Sequence, residues 1–142
     1  PEWLSLARQD VPRAGTRQFE WVGTVGEKLR WTLPTVGGDL EWTLERTGEG
    51  SWHSEYGWGD ERTLAPNNGQ ALDRVPEGRW TLLVTVYADR RVTGHWTVDG
   101  GEVNRWELSF PQAPLPGGKE LVIVGVGGLR IDRVRVRECL PR

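Results

Sequence analysis

The sequence predicts an all-β protein: one antiparallel β-sandwich or barrel domain over residues 1–142, with little or no helix. Three observations predict it. Apolar and polar residues alternate with period two in nearly every hydrophobic stretch, as in strands buried on one face. Nineteen Gly and nine Pro break the chain at short intervals, which favours turns over helices. The length of 142 residues suits one domain with a full core and is short for two.

The alternation can be followed along the chain. In KLRWTLP, Leu29, Trp31 and Leu33 share one face, with Lys28, Arg30 and Thr32 on the other. DLEWTLERT sets Leu40, Trp42 and Leu44 against Glu41, Thr43 and Glu45. GRWTLLVTVYAD is apolar on both faces, as expected of a central strand. RVTGHWTVDG turns Val92, Trp96 and Val98 inward, and NRWELSF does so with Trp106, Leu108 and Phe110. KELVIVGVGG and LRIDRVRVRE complete the series. In the last, Leu129 and Ile131 lie on one parity and Val134 and Val136 on the other, so a β-bulge is expected at Asp132-Arg133. VGGD, APNNGQ, VPEG, VDGG and PLPGG supply the turns. By this pattern Trp31, Trp42, Trp80, Trp96 and Trp106 belong to the core.

Composition excludes several function classes. The net charge is −2 with acids and bases interspersed, which argues against a nucleic-acid partner. No run of about 18 apolar residues is present, so no membrane-spanning helix is expected, and no leader pattern is read. Cys139 stands alone, which rules out an internal disulfide, and with His53 and His95 it makes no zinc-like spacing. Positive charge is nearly all Arg, with Lys28 and Lys119 the two lysines and no Met, a composition suggestive of a thermophile.

Four of the aromatic and histidine rings cluster in SWHSEYGWGD, residues 51–60. Trp52, Tyr56 and Trp58 share a parity with Ser54, and His53 and Glu55 lie opposite. Such a row of rings suits stacking on the C–H face of a sugar, with His53, Glu55 or Asp60 near its hydroxyls. It suits equally a strand whose rings complete the core. Gly50, Gly57 and Gly59 weaken a regular strand and favour an exposed loop. Asn67 and Asn68 could give amide hydrogen bonds to the same ligand, or simply form an Asn-Asn-Gly turn. His95 falls on the polar face of its strand and is expected to be solvated. Glu49, Glu55, Asp60 and Glu61 cluster without a defined acid–base pair, and no nucleophile elbow or phosphate loop stands out, so a non-enzymatic role is expected. Arg133, Arg135 and Arg137 share a face of the final strand, where they would pair across the sheet with acids such as Glu41 and Glu45, or meet phosphate or an acidic partner.

The stretch from Val75 to Glu138 resembles the jelly-roll carbohydrate-binding modules of the galactose-binding-domain-like group. The elements that carry the resemblance are Gly78 with Trp80, Val98-Asp99-Gly100, Leu115 with Gly118, and the closing Ile131-Asp132-Arg133-Val134-Arg135-Val136. The resemblance implies a jelly-roll sandwich, glycan binding, and a structural calcium ion joining an early acid, here Glu20, to Asp132. Where those modules commonly place a sugar-contacting Asn, before the last strand, this chain has Gly127-Gly128. Two functions therefore stand. One is a non-catalytic module that binds a polysaccharide or glycan through the aromatic stretch. The other is a structural protein of a virion or surface layer, whose sandwich makes subunit contacts; the lone Cys and the missing Asn favour it. Localisation stays open, with the cell exterior, the cell surface or a virion favoured over the cytoplasm.

Overall fold

The computed structural model describes residues 16–35, 38–58, 69–87, 91–109 and 122–138. Ten strands run through them: β1 (Arg17–Val25), β2 (Lys28–Thr35), β3 (Gly38–Gly48), β4 (Ser51–Trp58), β5 (Gly69–Leu72), β6 (Trp80–Val86), β7 (Arg91–Val98), β8 (Gly101–Ser109), β9 (Val122–Val126) and β10 (Leu129–Glu138). No helix occurs among the described residues. The strands form two antiparallel five-stranded sheets, in the order β10-β1-β6-β7-β8 and β5-β4-β3-β2-β9. This is a β-sandwich, and it fits the galactose-binding-like jelly-roll architecture implied by the sequence.

Period-two alternation builds the core directly. Each strand turns one row of side chains toward the facing sheet and the other toward solvent. The inward rows bring together Phe19, Trp21, Leu29, Trp31, Leu33, Leu40, Trp42, Leu44, Trp80, Leu82, Val84, Val92, Trp96 and Trp106. All five tryptophans expected inside are buried. Several of their rings meet edge-on or tilted, as aromatic quadrupoles favour: Trp42 with Trp106 at 5.3 Å and Trp80 with Trp96 at 4.4 Å. The doubly apolar β6 is the middle strand of its sheet, as its pattern predicts.

Two further features follow from local sequence. The phase change in β10 is a bulge: Val22 faces Arg133 and Gly23 faces Ile131, leaving Asp132 as the extra residue. At the β9–β10 link, Gly127 and Gly128 take φ values of 75° and 101°, a region L-residues with side chains rarely adopt. There the chain passes from one sheet to the other, and Gly26 of the β1–β2 link donates its N–H to the Gly128 carbonyl at 2.7 Å. The Gly127-Gly128 pair thus makes a tight corner between the sheets.

Sequence periodicity missed three strands. RQFEWVGTV forms β1, which lies between β10 and β6; its outward Gln18 and Glu20 are nearly buried by those neighbours, and Gly23 interrupts its apolar row. Gly69–Leu72 forms the short edge strand β5. The Gly-flanked aromatic stretch is strand β4, not a loop: its residues from Trp52 to Trp58 pair in order with β3, so the ladder outweighs the glycine content.

Candidate functional site

Of the two readings of the aromatic row, Trp52 and Tyr56 take the core one. Trp52 is 4% exposed and meets Trp80 at 4.7 Å and Trp96 at 6.1 Å. Tyr56 is half-buried and stacks on Trp106, with ring centroids 4.6 Å apart and planes 8° from parallel. Parity explains the outcome: Trp52, Ser54 and Tyr56 share the side of β4 that looks at the other sheet. Trp58 is described through its backbone alone, paired with Leu40. His53 lies on the outward side of β4, 3.9 Å from Glu55. Asn67, Asn68 and Asp60 lie outside the described residues, as does Cys139.

Ser54, which the sequence placed in the row of rings, has a different role. Buried Trp42 donates its indole N–H to Ser54 Oγ at 2.9 Å. Ser54 donates to Asn104 Oδ1 at 2.9 Å, and Asn104 donates to Gln70 Oε1 at 2.8 Å. The chain of bonds crosses from β3 and β4 to β8 and back to β5, tying the two sheets through their shared interior.

Glu20 and Asp132, which the resemblance names as calcium ligands, are each held by two arginines. Glu20 accepts from Arg133 at 3.1 Å and from Arg135 at 2.9 Å. Asp132 is held by Arg79 at 3.0 Å and Arg130 at 3.2 Å. Each carboxylate faces two guanidiniums, whose charge opposes a cation beside it. Among the described residues no group of three or more metal-ligating side chains occurs. Arg133 and Arg135 of β10 thus meet Glu20 on their own sheet; Glu41 and Glu45, the acids expected to face them, belong to the opposite sheet, where Glu45 lies 3.9 Å from Lys28.

The chemistry gathers on the outward face of the β10-β1-β6-β7-β8 sheet. Register sets three rows across it: Arg137, Gln18, Thr85, Thr93 and Glu107; Arg135, Glu20, Leu83, His95 and Arg105; Arg133, Val22, Thr81, Thr97 and Glu102. Over β6, β7 and β8 these rows enclose a shallow depression of about 390 Å³, lined by Leu83, Thr85, Tyr87, Arg91, His95, Arg105 and Glu107 among others. His95 Nε2 lies 2.6 Å from Glu102 Oε1, and a carboxylate can only accept, so the ring nitrogen carries the proton. Arg105 Nε reaches the same oxygen at 3.1 Å, and Arg91 lies 3.4 Å from Glu107. The Arg91 guanidinium also sits 4.0 Å above the Tyr87 ring. The hydrogen bond with His95 chiefly, with help from the charge of Arg105 and against some desolvation, holds the Glu102 carboxyl below its ordinary value.

This is a surface of alternating fixed donors and acceptors over a partly apolar floor. Sequence reading passed over it because the residues of each strand are adjacent only through topology. The available signal was the polar parity of β6 to β8, in which His95, Arg105 and Glu107 each sit opposite a core Trp or Leu.

A second depression, of about 540 Å³, opens at one end of the sandwich. Arg46, Arg79 and Arg130 surround it, and Trp52 and Trp80 lie at its base. Although larger, it offers less chemistry. Arg79 and Arg130 share Asp132, while Arg46 lies over the Trp52 ring at 5.7 Å and 3.8 Å from Glu77.

Comparison with known proteins bears on the fold. No family model and no curated protein sequence matches the chain. Among solved structures, the chain is similar to the galectin LEC-6 of Caenorhabditis elegans, with a TM-score of 0.52 and 16% identity over 87% of this chain and 83% of that one. It is also similar to a tetrameric galectin from the ball sponge Cinachyrella, at TM-score 0.49 and 13% identity, covering 87% and 91%. A third is scytalido-glutamic peptidase with a peptide-based transition-state analogue, at TM-score 0.47 and 12% identity, covering 88% and 76%. At these identities the likeness is one of fold.

Proposed function

We propose that the protein is a non-catalytic glycan-recognition module whose ligand lies on the outward face of β6, β7 and β8. The observation that carries this reading is the Arg91–Glu107 and His95–Glu102–Arg105 constellation around one depression. A sugar hydroxyl both donates and accepts, so it is matched best where a carboxylate and a guanidinium are fixed side by side. Thr85, Thr93 and Thr97 add hydroxyls that serve either role, and Leu83 and Tyr87 give apolar surface for sugar C–H groups. The fold supports the same reading, since one solved structure of this fold is a galectin, a lectin by name.

A glycan array probed with the protein and its Arg105→Ala and Glu107→Gln variants tests the reading. Selective binding that both variants lose supports it. A flat array, or binding that both retain unchanged, rejects it.

A second reading, assembly through subunit contacts, has its own observation. Among the described residues the exposed large hydrophobic ones, Val124, Val126, Ile131, Val134 and Val136, all lie on the edge strands β9 and β10. Exposed aliphatic edge strands favour pairing with other chains. Light scattering at increasing concentration decides this reading: concentration-dependent oligomers that Val134→Lys abolishes support it, and a monomer throughout ends it.

A further inference from the structure

We infer that the ligand of this face is an acidic glycan, whose carboxylate or sulfate groups lie along β10. The inference rests on the glycan-recognition reading and goes on to name the class of glycan.

The observation is a cationic strip on a chain whose net charge is −2. Arg133, Arg135 and Arg137 project from the outward side of β10, as register with Val22, Glu20 and Gln18 requires. Their outward neighbours on β1 include one acid, Glu20, which holds Arg133 and Arg135 together. Below the bulge the motif recurs: Arg130 and Arg79 share Asp132. Four guanidiniums thus hold two carboxylates, and Arg137 continues the row on β10. Each carboxylate fixes a pair of side chains and leaves their combined charge in excess by one. Arg133 and Arg79 reach these acids through Nε, so the forked terminal nitrogens are the ends left to meet a ligand oxyanion.

Geometry connects this strip to the depression over β6 to β8. Adjacent strands are about 4.8 Å apart, so four spacings separate β8 from β10 by roughly 19 Å. A chain of several sugar rings can span that distance, with hydroxyls over His95 and Arg105 and anionic groups over β10. Along β10 itself, Arg130 to Arg137 covers roughly 23 Å at strand rise. Single-stranded nucleic acid is another common polyanion, but it is bound on aromatic stacking platforms. On β1 the outward neighbours of the strip are Gln18, Glu20 and Val22, with no aromatic ring among them.

Affinity electrophoresis tests the inference, using gels containing alginate, dextran sulfate, neutral dextran or an oligothymidine. Neutral oligosaccharides on the array run in parallel. The comparison is between the protein, Arg133→Gln/Arg137→Gln, and a charge-matched control, Lys28→Gln/Arg30→Gln, on the outward face of the other sheet. The double variant leaves the Arg135–Glu20 pair in place, and thermal melting confirms that each variant is folded. The expected result is retardation by alginate or dextran sulfate that falls roughly tenfold in the β10 variant and stays unchanged in the control. Which polymer retards it assigns carboxylate or sulfate as the recognised group. Equal loss in both variants, or equal retardation by oligothymidine, overturns the acidic-glycan assignment. Binding of neutral glycans with no retardation by either polyanion overturns it while sparing the glycan reading. Silence from both arms rejects the two together.

Discussion

Ser54 shows how far a single residue departs from its sequence reading. Its parity with Trp52 and Tyr56 is visible in the sequence, and the side it faces is decided by the second sheet. It sits fully buried between the Trp42 indole and the Asn104 amide. Ser54→Ala leaves a buried indole N–H and an amide oxygen without their partner. A loss of about 1–3 kcal/mol is expected in urea denaturation; an unchanged midpoint would mean that these groups find other partners. On the outward face, Glu102 supplies a second residue-scale test. Its carboxyl is held low chiefly by His95, so the folded state binds that proton less readily than the unfolded chain. The stabilisation is therefore present above the ordinary glutamate value of about 4.3 and is lost as pH falls through the lower folded value. Carbon-detected NMR should find the Glu102 carboxyl titrating below the ordinary value, and His95→Ala should move it back up. Titration at the ordinary value in the unaltered protein would refute the bond.

At the scale of the element, strands with clean alternation were legible, and those whose burial comes from neighbours were not. The five core tryptophans, the central β6 and the β10 bulge could all be read from parity. β1 was missed because Gln18 and Glu20 look exposed in sequence and are covered only when β6 and β10 flank them. The site was missed for a related reason: His95 is one polar residue on a strand until β8 brings Arg105 opposite it. Gly94 shows what such pairing demands. It faces Trp106 across the ladder, and a Cβ there would overlap the indole. Gly94→Ala should cost about 1–3 kcal/mol and disturb the Tyr56–Trp106 stack, seen as a change in near-ultraviolet circular dichroism. A variant as stable as the parent would show that Trp106 has room to move.

For the whole molecule, the two sheets divide the work. Among the described residues their facing sides carry nearly all the rings, so Trp52 and Tyr56 of the aromatic stretch belong to the scaffold. The outward side of the β10-β1-β6-β7-β8 sheet carries the His95–Glu102–Arg105 and Arg91–Glu107 contacts, a row of threonine hydroxyls and the arginine strip. The central claim is that recognition occurs on this face, and backbone amide shift mapping during titration with a bound oligosaccharide tests it most directly. The account predicts the largest shifts at Thr85, Thr93, His95, Arg105 and Glu107. Shifts centred instead on Thr43, His53 and Glu55 of the other sheet, or around Arg46 and Glu77 at the end of the sandwich, would contradict it.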